Sequence, residues 1–466
     1  MMRSNTLRNL LALLVALAVT ACGEEVIITL FVASDQKISA IEGNFADVLD
    51  ENGQFGSAIA LLGDLEVDGV ADLAVGAPLD SDGGPERGAI WILFMDSDGM
   101  VDQEAKISST AGGFGGVLRD GDNFGAAAAG IGDLDGDGIL DLAVGAPLDD
   151  DGGNDRGAVW ILLLRADGTV RDFRKISSLA GGFNGALEDG DQFGASIAML
   201  GDIDSDGVTD LAVGAPLDDD SGTDTGALWI LFMNSTGTVK AQQKISLDAG
   251  SFNGSLAAGD RFGRALANIG DLNQDGTPDL GVGTPGDDDG GTDRGAVWIL
   301  YLRTDGQVLR ARKLSATEGG LDADATLANG DAFGTAVAYA GDLDLDGITD
   351  LVTGAPFDDD GGLDRGAVWI LFMNRDGTVN ATQKISTSAG ELGTPPANND
   401  RFGAAVAGIG NLDGQRSTDL VAGMPLDDDD GIDKGAIRVL FMDDVDTRNQ
   451  CERFGIFRLL GITDCN

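Results

Sequence analysis

Aspartates recur through this chain at the spacing D-x-D-x-D-G-x-x-D, as in Asp133-Leu134-Asp135-Gly136-Asp137-Gly138-Ile139-Leu140-Asp141. Carboxylates at positions 1, 3, 5 and 9, with a backbone carbonyl at position 7, can surround one hard cation with oxygens. That donor set suits Ca2+, which takes roughly six to eight oxygen ligands in flexible geometry. Glycine at position 6 permits the sharp turn. The candidate ligands are Asp64, Glu66, Asp68 and Asp72, then Asp133, Asp135, Asp137 and Asp141, then Asp202, Asp204, Asp206 and Asp210. Asp271, Asn273, Asp275 and Asp279 follow, and after them Asp342, Asp344, Asp346 and Asp350. The sixth loop has Asn411, Asp413, Gln415 and Asp419, with Arg416 in place of the turn glycine. With only two carboxylates it is expected to bind weakly or not at all, which leaves about five calcium sites. An EF-hand would need a bidentate Glu at position 12. Here position 12 of the second loop is Val144, inside an apolar run, so that reading fails. The plain alternative for any one loop is an Asp/Gly hairpin turn without metal; the regular recurrence favours the metal.

The loops must be held by something that repeats with them. Each is preceded by Phe-Gly, at Phe55, Phe124, Phe193, Phe262, Phe333 and Phe402, with a spacing of 69 residues except for one step of 71. Each is followed by Gly-Ala-Pro, as at Gly145-Ala146-Pro147, or a close variant of it, and then by an apolar run such as Val159-Trp160-Ile161-Leu162. A period of this length marks one supersecondary unit that stacks on its neighbours. In the second unit the pattern predicts strands at Ala126–Gly132, Leu140–Gly145 and Ala158–Leu164, and a short fourth strand around Lys175-Ile176-Ser177. No stretch shows helical periodicity with caps. Four short antiparallel strands in series make an all-β fold, a β-propeller. Trp91, Trp160, Trp229, Trp298 and Trp369 share one place in strand three and are expected to pack between blades; Arg438 stands there in the last unit.

Phe-Gly, the Asp-rich loop and Gly-Ala-Pro, in that order, resemble the FG-GAP repeats of the integrin alpha-subunit propeller and its bacterial relatives. The resemblance runs from residue 55 to about 442. It implies a propeller that binds calcium and acts in adhesion. Integrin propellers have seven blades, whereas this chain has six complete units. Lys37 lies 18 residues before Phe55, as Lys106 lies 18 before Phe124, so the chain begins with the end of a blade. The expected closure puts an N-terminal strand beside Ala436–Met442, giving six blades over residues 26–442. A seventh, composite blade using the tail around Phe454-Gly455 is the alternative.

Composition removes whole classes of chemistry. Histidine is absent, which excludes Ser-His-Asp and Cys-His dyads and the usual general base. The net charge of −48, from 78 acids against 30 bases, argues against nucleic acid as a partner. Bound dications would offset part of that charge, and a saline habitat is the competing explanation for the rest.

The first 21 residues read as an export signal, with Arg3 and Arg8 before an apolar core from Leu10 to Val19. Val19-Thr20-Ala21-Cys22 resembles the lipobox of bacterial lipoproteins, which implies cleavage before Cys22, lipid on that cysteine and a short linker over residues 22–25. The expected location is the outer membrane or cell surface, with membrane contact through the anchor alone. In an exported chain the remaining Cys451 and Cys465, in the tail 443–466, suggest a disulfide.

Antiparallel strands put the calcium loops on one face of the ring and the Asp-Asp-Asp-Gly-Gly loops on the other. By analogy with integrin-like propellers, this second face is the candidate ligand face. Arg87, Arg156, Arg294 and Arg365 recur there, with Lys434 and Thr225 at the same position in two units. They read either as ion pairs that organise the loops or as a basic ring that captures a carboxylate-bearing ligand. The functional expectation is a lipid-anchored, calcium-binding module for an unknown protein or glycan, and not an enzyme. The alternatives are a propeller hydrolase working through carboxylates and a scaffold in a membrane-associated complex.

Overall fold

The computed structural model describes residues 28–446 except 322–326, 391 and 416. The export signal, Cys22, Cys451, Cys465, the tail beyond 446 and Arg416 lie outside the described residues. Residues 30–443 form one unit. It contains six sheets, each of four strands in antiparallel order, arranged as a six-bladed propeller. Five blades are continuous in sequence. The sixth takes its outermost strand, Ile28–Ile38, from the N-terminus and places it beside Ala436–Asp446. The expected six-blade closure is therefore the one found.

The second blade illustrates the rest, with strands Ala127–Gly132, Asp141–Ala146, Ala158–Leu164 and Val170–Ser177. Strands two and three are buried along their whole length, because both faces of each blade pack on a neighbour. That is why they read as continuous apolar runs and not as alternating ones. The fourth strand is longer than its sequence suggested. It begins at Val170 and exposes Arg171 and Asp172, and that polar outer edge hid the strand signal.

The two halves of the repeat motif meet between blades. A Cβ on Gly145 would overlap the carbonyl oxygen of Gly194 in the next blade, and one on Gly76 would overlap that of Gly125. Only glycine lets the backbones approach this closely. At the closing junction Gly423 meets Gly56 in the same way, and Gly435 bridges to Phe55. The motif phenylalanines are fully buried. Six apolar clusters fill the six junctions. Trp160 stands edge-on to Phe114 at 5.1 Å between ring centroids, and its equivalents are buried likewise.

Candidate functional site

Each Asp-rich loop is built around its own carboxylates. Asp133 accepts hydrogen bonds from the amides of Gly136, Asp137 and Gly138 at 2.7, 3.0 and 2.8 Å. Asp137 accepts from Ile139 at 2.9 Å. The position-9 aspartate does different work. Asp141 is fully buried; its Oδ2 accepts from Leu134 at 3.0 Å and its Oδ1 from Leu164 at 3.1 Å, tying the loop to the end of strand three. Burial pushes its carboxyl up to about 6 against the pull of those amides. Asp72, Asp210, Asp279, Asp350 and Asp419 are buried in the same place.

Asp419 keeps this arrangement, with Leu412 at 2.8 Å and Met442 at 2.9 Å, although its loop has the poorest ligand set. There the Asn411 amide donates to the Gln415 carbonyl. Position 9 is thus a structural bracket in five blades; in the fourth, Asp279 Oδ2 accepts from Leu272 at 3.0 Å while its buried Oδ1 has no partner among the described residues. The sequence showed its spacing but not this second role.

Carboxylate oxygens from Asp133, Asp135 and Asp141 lie within 4.8 Å of one another, as do those of Asp202, Asp204 and Asp206, and those of Asp342, Asp344 and Asp350. Among the described residues the first and fourth loops do not bring three carboxylates this close. Two gathered sets carry a side-chain cation that sequence reading missed. Arg171 pairs with Asp135 and Asp137, and Lys240 with Asp204 and Asp206. The first blade has Asp102 at the equivalent position, the fourth Leu309 and the fifth Asn380. In the fifth loop, burial and the charges of Asp346 and Asp342 raise the Asp344 carboxyl. An all-oxygen set whose members repel one another fits a hard dication.

On the opposite face two aspartates of each Asp-rich loop are paired from within. Lys175 reaches Asp149 at 2.6 Å and Asp151 at 2.7 Å while lying over the Trp160 ring at 5.2 Å. Lys106, Lys244, Lys313 and Lys384 do the same for their blades, and Lys37 of the closing strand pairs with Asp427 and Asp429 in the sixth, which has Arg438 in place of the tryptophan. Arg87 and Arg156 pair with Asp120 and Asp189 of the following linker, both at 2.8 Å. Arg294 and Arg365 donate instead to the neutral Asn329 and Asn398, at 2.9 and 2.8 Å. These contacts give the arginines the loop-organising role; Lys434 reaches Asp430, and Thr225 bonds the Gly222 carbonyl.

Below these loops lies a row of buried aspartates: Asp122, Asp191, Asp260, Asp331 and Asp400. Burial drives the Asp191 carboxyl up from 3.8 to about 7, against the Glu188 amide at 2.7 Å and with help from Asp218. The folded state therefore holds this proton more tightly than the unfolded chain. Its contribution to stability is full below about pH 4 and is lost as pH rises towards about 7. Asp191→Asn keeps an acceptor for Glu188 and removes the charge. It should raise stability by about 1 kcal/mol at pH 8 and leave it unchanged near pH 4, read by thermal melting of both proteins across that range.

A model of the FG-GAP repeat matches residues 55–93, 124–162, 193–231, 262–300 and 333–371. Integrin alpha-PS5 of Drosophila melanogaster is 35% identical over 155 residues, which is 33% of this chain and 14% of that protein. Integrin alpha pat-2 of Caenorhabditis briggsae is 32% identical over 240 residues, 50% of this chain and 18% of that one. Human integrin alpha-11 is 35% identical over 173 residues, 36% of this chain and 13% of that one. The matched region spans less than a fifth of each of these relatives. This chain is an FG-GAP repeat protein, and its propeller is similar to that of integrin alpha subunits.

Proposed function

We propose that this protein is an exported binding or adhesion module, a calcium-stabilised propeller held to a membrane by lipid on Cys22. The observation that carries this reading is the gathered oxygen set of Asp342, Asp344 and Asp350 in a ring whose repeats resemble those of integrin alpha. The fifth loop would hold its ion through these three carboxylates, and the ion would supply only charge neutralisation and loop order. The ligand is a protein or a glycan, engaged on the face opposite the calcium loops.

The test uses the chain from residue 23 onward, immobilised and screened against protein and glycan arrays in 1 mM (roughly physiological extracellular) calcium and in EDTA. A saturable ligand captured in calcium and released in EDTA supports the module. Turnover of a glycan or phosphoester that disappears on replacing one acid would replace it with an enzyme.

A further inference from the structure

The innermost strand of each blade runs along the propeller axis with one edge unpaired. Two residues flank the start of each innermost strand on the side away from the calcium loops, an outer one beside the entry to strand three of the preceding blade and an inner one at the strand's own start. The residue before the motif phenylalanine is Gln54, Asn123, Gln192, Arg261, Ala332 or Arg401, each in the left-handed backbone region. The residue after the motif glycine is Ser57, Ala126, Ala195, Arg264, Thr335 or Ala404. None of these is an acid, in a chain where acids outnumber bases 78 to 30.

Arg264 is the odd member of the inner set. Five blades place a small side chain there, and the fourth places a guanidinium. Among the described residues its side chain has no hydrogen bond and no ion pair, and the charge acting on it is that of Arg261, of the same sign. Arg264 is half-buried, and that burial, reinforced by Arg261, pushes it below the usual arginine range. Arg401 shares the outer set with Arg261; it lies over the Phe357 ring at 4.8 Å, and its buried Nε has no acceptor. Arg87, Arg156 and the six strand-four lysines on this face all have carboxylates within ion-pair reach.

A crowded cation without a counter-charge is costly unless something pairs with it. Its planar fork matches a carboxylate in two parallel hydrogen bonds. A doubly charged phosphate would meet more repulsion from the surrounding Asp-rich loops than a single carboxylate on an otherwise neutral carrier.

We propose that the axial mouth opposite the calcium loops, at Arg264 and Arg261, is a binding site for a single carboxylate presented by a partner protein. That the carrier is a protein rests on the binding-module reading; the anion site itself does not. This places ligand capture on the axis and not on the outer arginines Arg87 and Arg156, whose charges are already paired.

The experiment follows the arginine Nε–H resonances of the calcium-loaded protein during titration with acetate, phosphate, the capped peptide Gly-Gly-Asp-Gly-Gly and its Gly-Gly-Asn-Gly-Gly control. Acetate and the Asp peptide should move the Arg264 and Arg261 signals to saturation, and the Asn peptide should move neither. Arg264→Met should abolish the acetate response and melt at or above the wild-type temperature. A response to acetate without one to the peptide would keep the anion site and overturn the protein carrier. No response to either carboxylate would overturn the site, and tighter binding of phosphate would overturn its carboxylate assignment. An Arg264→Met melting temperature lower by more than about 5 °C would show a structural role and overturn the proposal. Chelator sensitivity enters none of these readouts, so failure of the calcium-dependent reading stays separable.

Discussion

Asp35→Ala should destabilise the propeller by about 3–5 kcal/mol, the cost of leaving a buried charge without its partner. Arg438 occupies the place that tryptophan holds in the other five blades, and it is 2% exposed. Its Nη1 donates to Asp35 Oδ2 at 2.9 Å and also to the Thr394 carbonyl. Asp35 Oδ1 in turn accepts from the Gly393 amide at 2.6 Å. Asp35 belongs to the N-terminal strand, Arg438 to the third strand of the sixth blade, and Gly393 and Thr394 to the linker before that blade. One carboxylate therefore fastens all three segments where the two ends of the ring meet. Removing it frees the closing strand and strands a guanidinium in an apolar junction. Replacing both partners at once, Asp35→Leu with Arg438→Trp, should regain most of the loss, because the second blade holds an apolar pair, Trp160 and Phe173, at these two places. Urea titrations of the two single variants and the double variant measure the coupling. A single-variant effect below about 0.5 kcal/mol would mean that the pair is a bystander.

That latch shows where sequence reading stopped. The 69-residue period, the order of the strands and the closure by Lys37 were legible, because they depend on spacing and on apolar runs. Arg438 was legible as an exception, yet Asp35 was not legible as its partner, since the two are 403 residues apart. The same limit applies to the strand-four lysines. Lys175 was legible only as part of the short fourth strand, and the folded blade sets it between Asp149, Asp151 and Trp160. The Asp-rich loops were visible as oxygen donors. That Arg171 and Lys240 sit on two of them depends on the outer strand folding back over the loop, which no local pattern encodes. Arg264 was invisible for a different reason: its significance lies in what does not surround it.

The internal cations bear on calcium itself. Exhaustive dialysis against EDTA should lower the melting temperature and make it calcium-dependent, with each site contributing about 2.7 kcal/mol at a hundredfold excess over its dissociation constant. The contribution should be unequal. The fifth loop gathers Asp342, Asp344 and Asp350 and has Asn380 where the second loop has Arg171. Among the described residues no base pairs with these carboxylates, so an ion gains most there. In the second and third loops Arg171 and Lys240 already screen the carboxylates and must be displaced, which weakens binding. Asp344→Asn should therefore remove more of the calcium-dependent stabilisation than Asp135→Asn. Arg171→Gln should strengthen binding in the second loop by roughly tenfold, about 1.4 kcal/mol, while lowering stability in EDTA. Calorimetric titration of the calcium-stripped protein and its variants reads both effects. Equal losses from Asp344→Asn and Asp135→Asn would show that the tethered bases do not compete with the ion. A melting curve unmoved by chelation would show that the oxygen clusters close the loops without one.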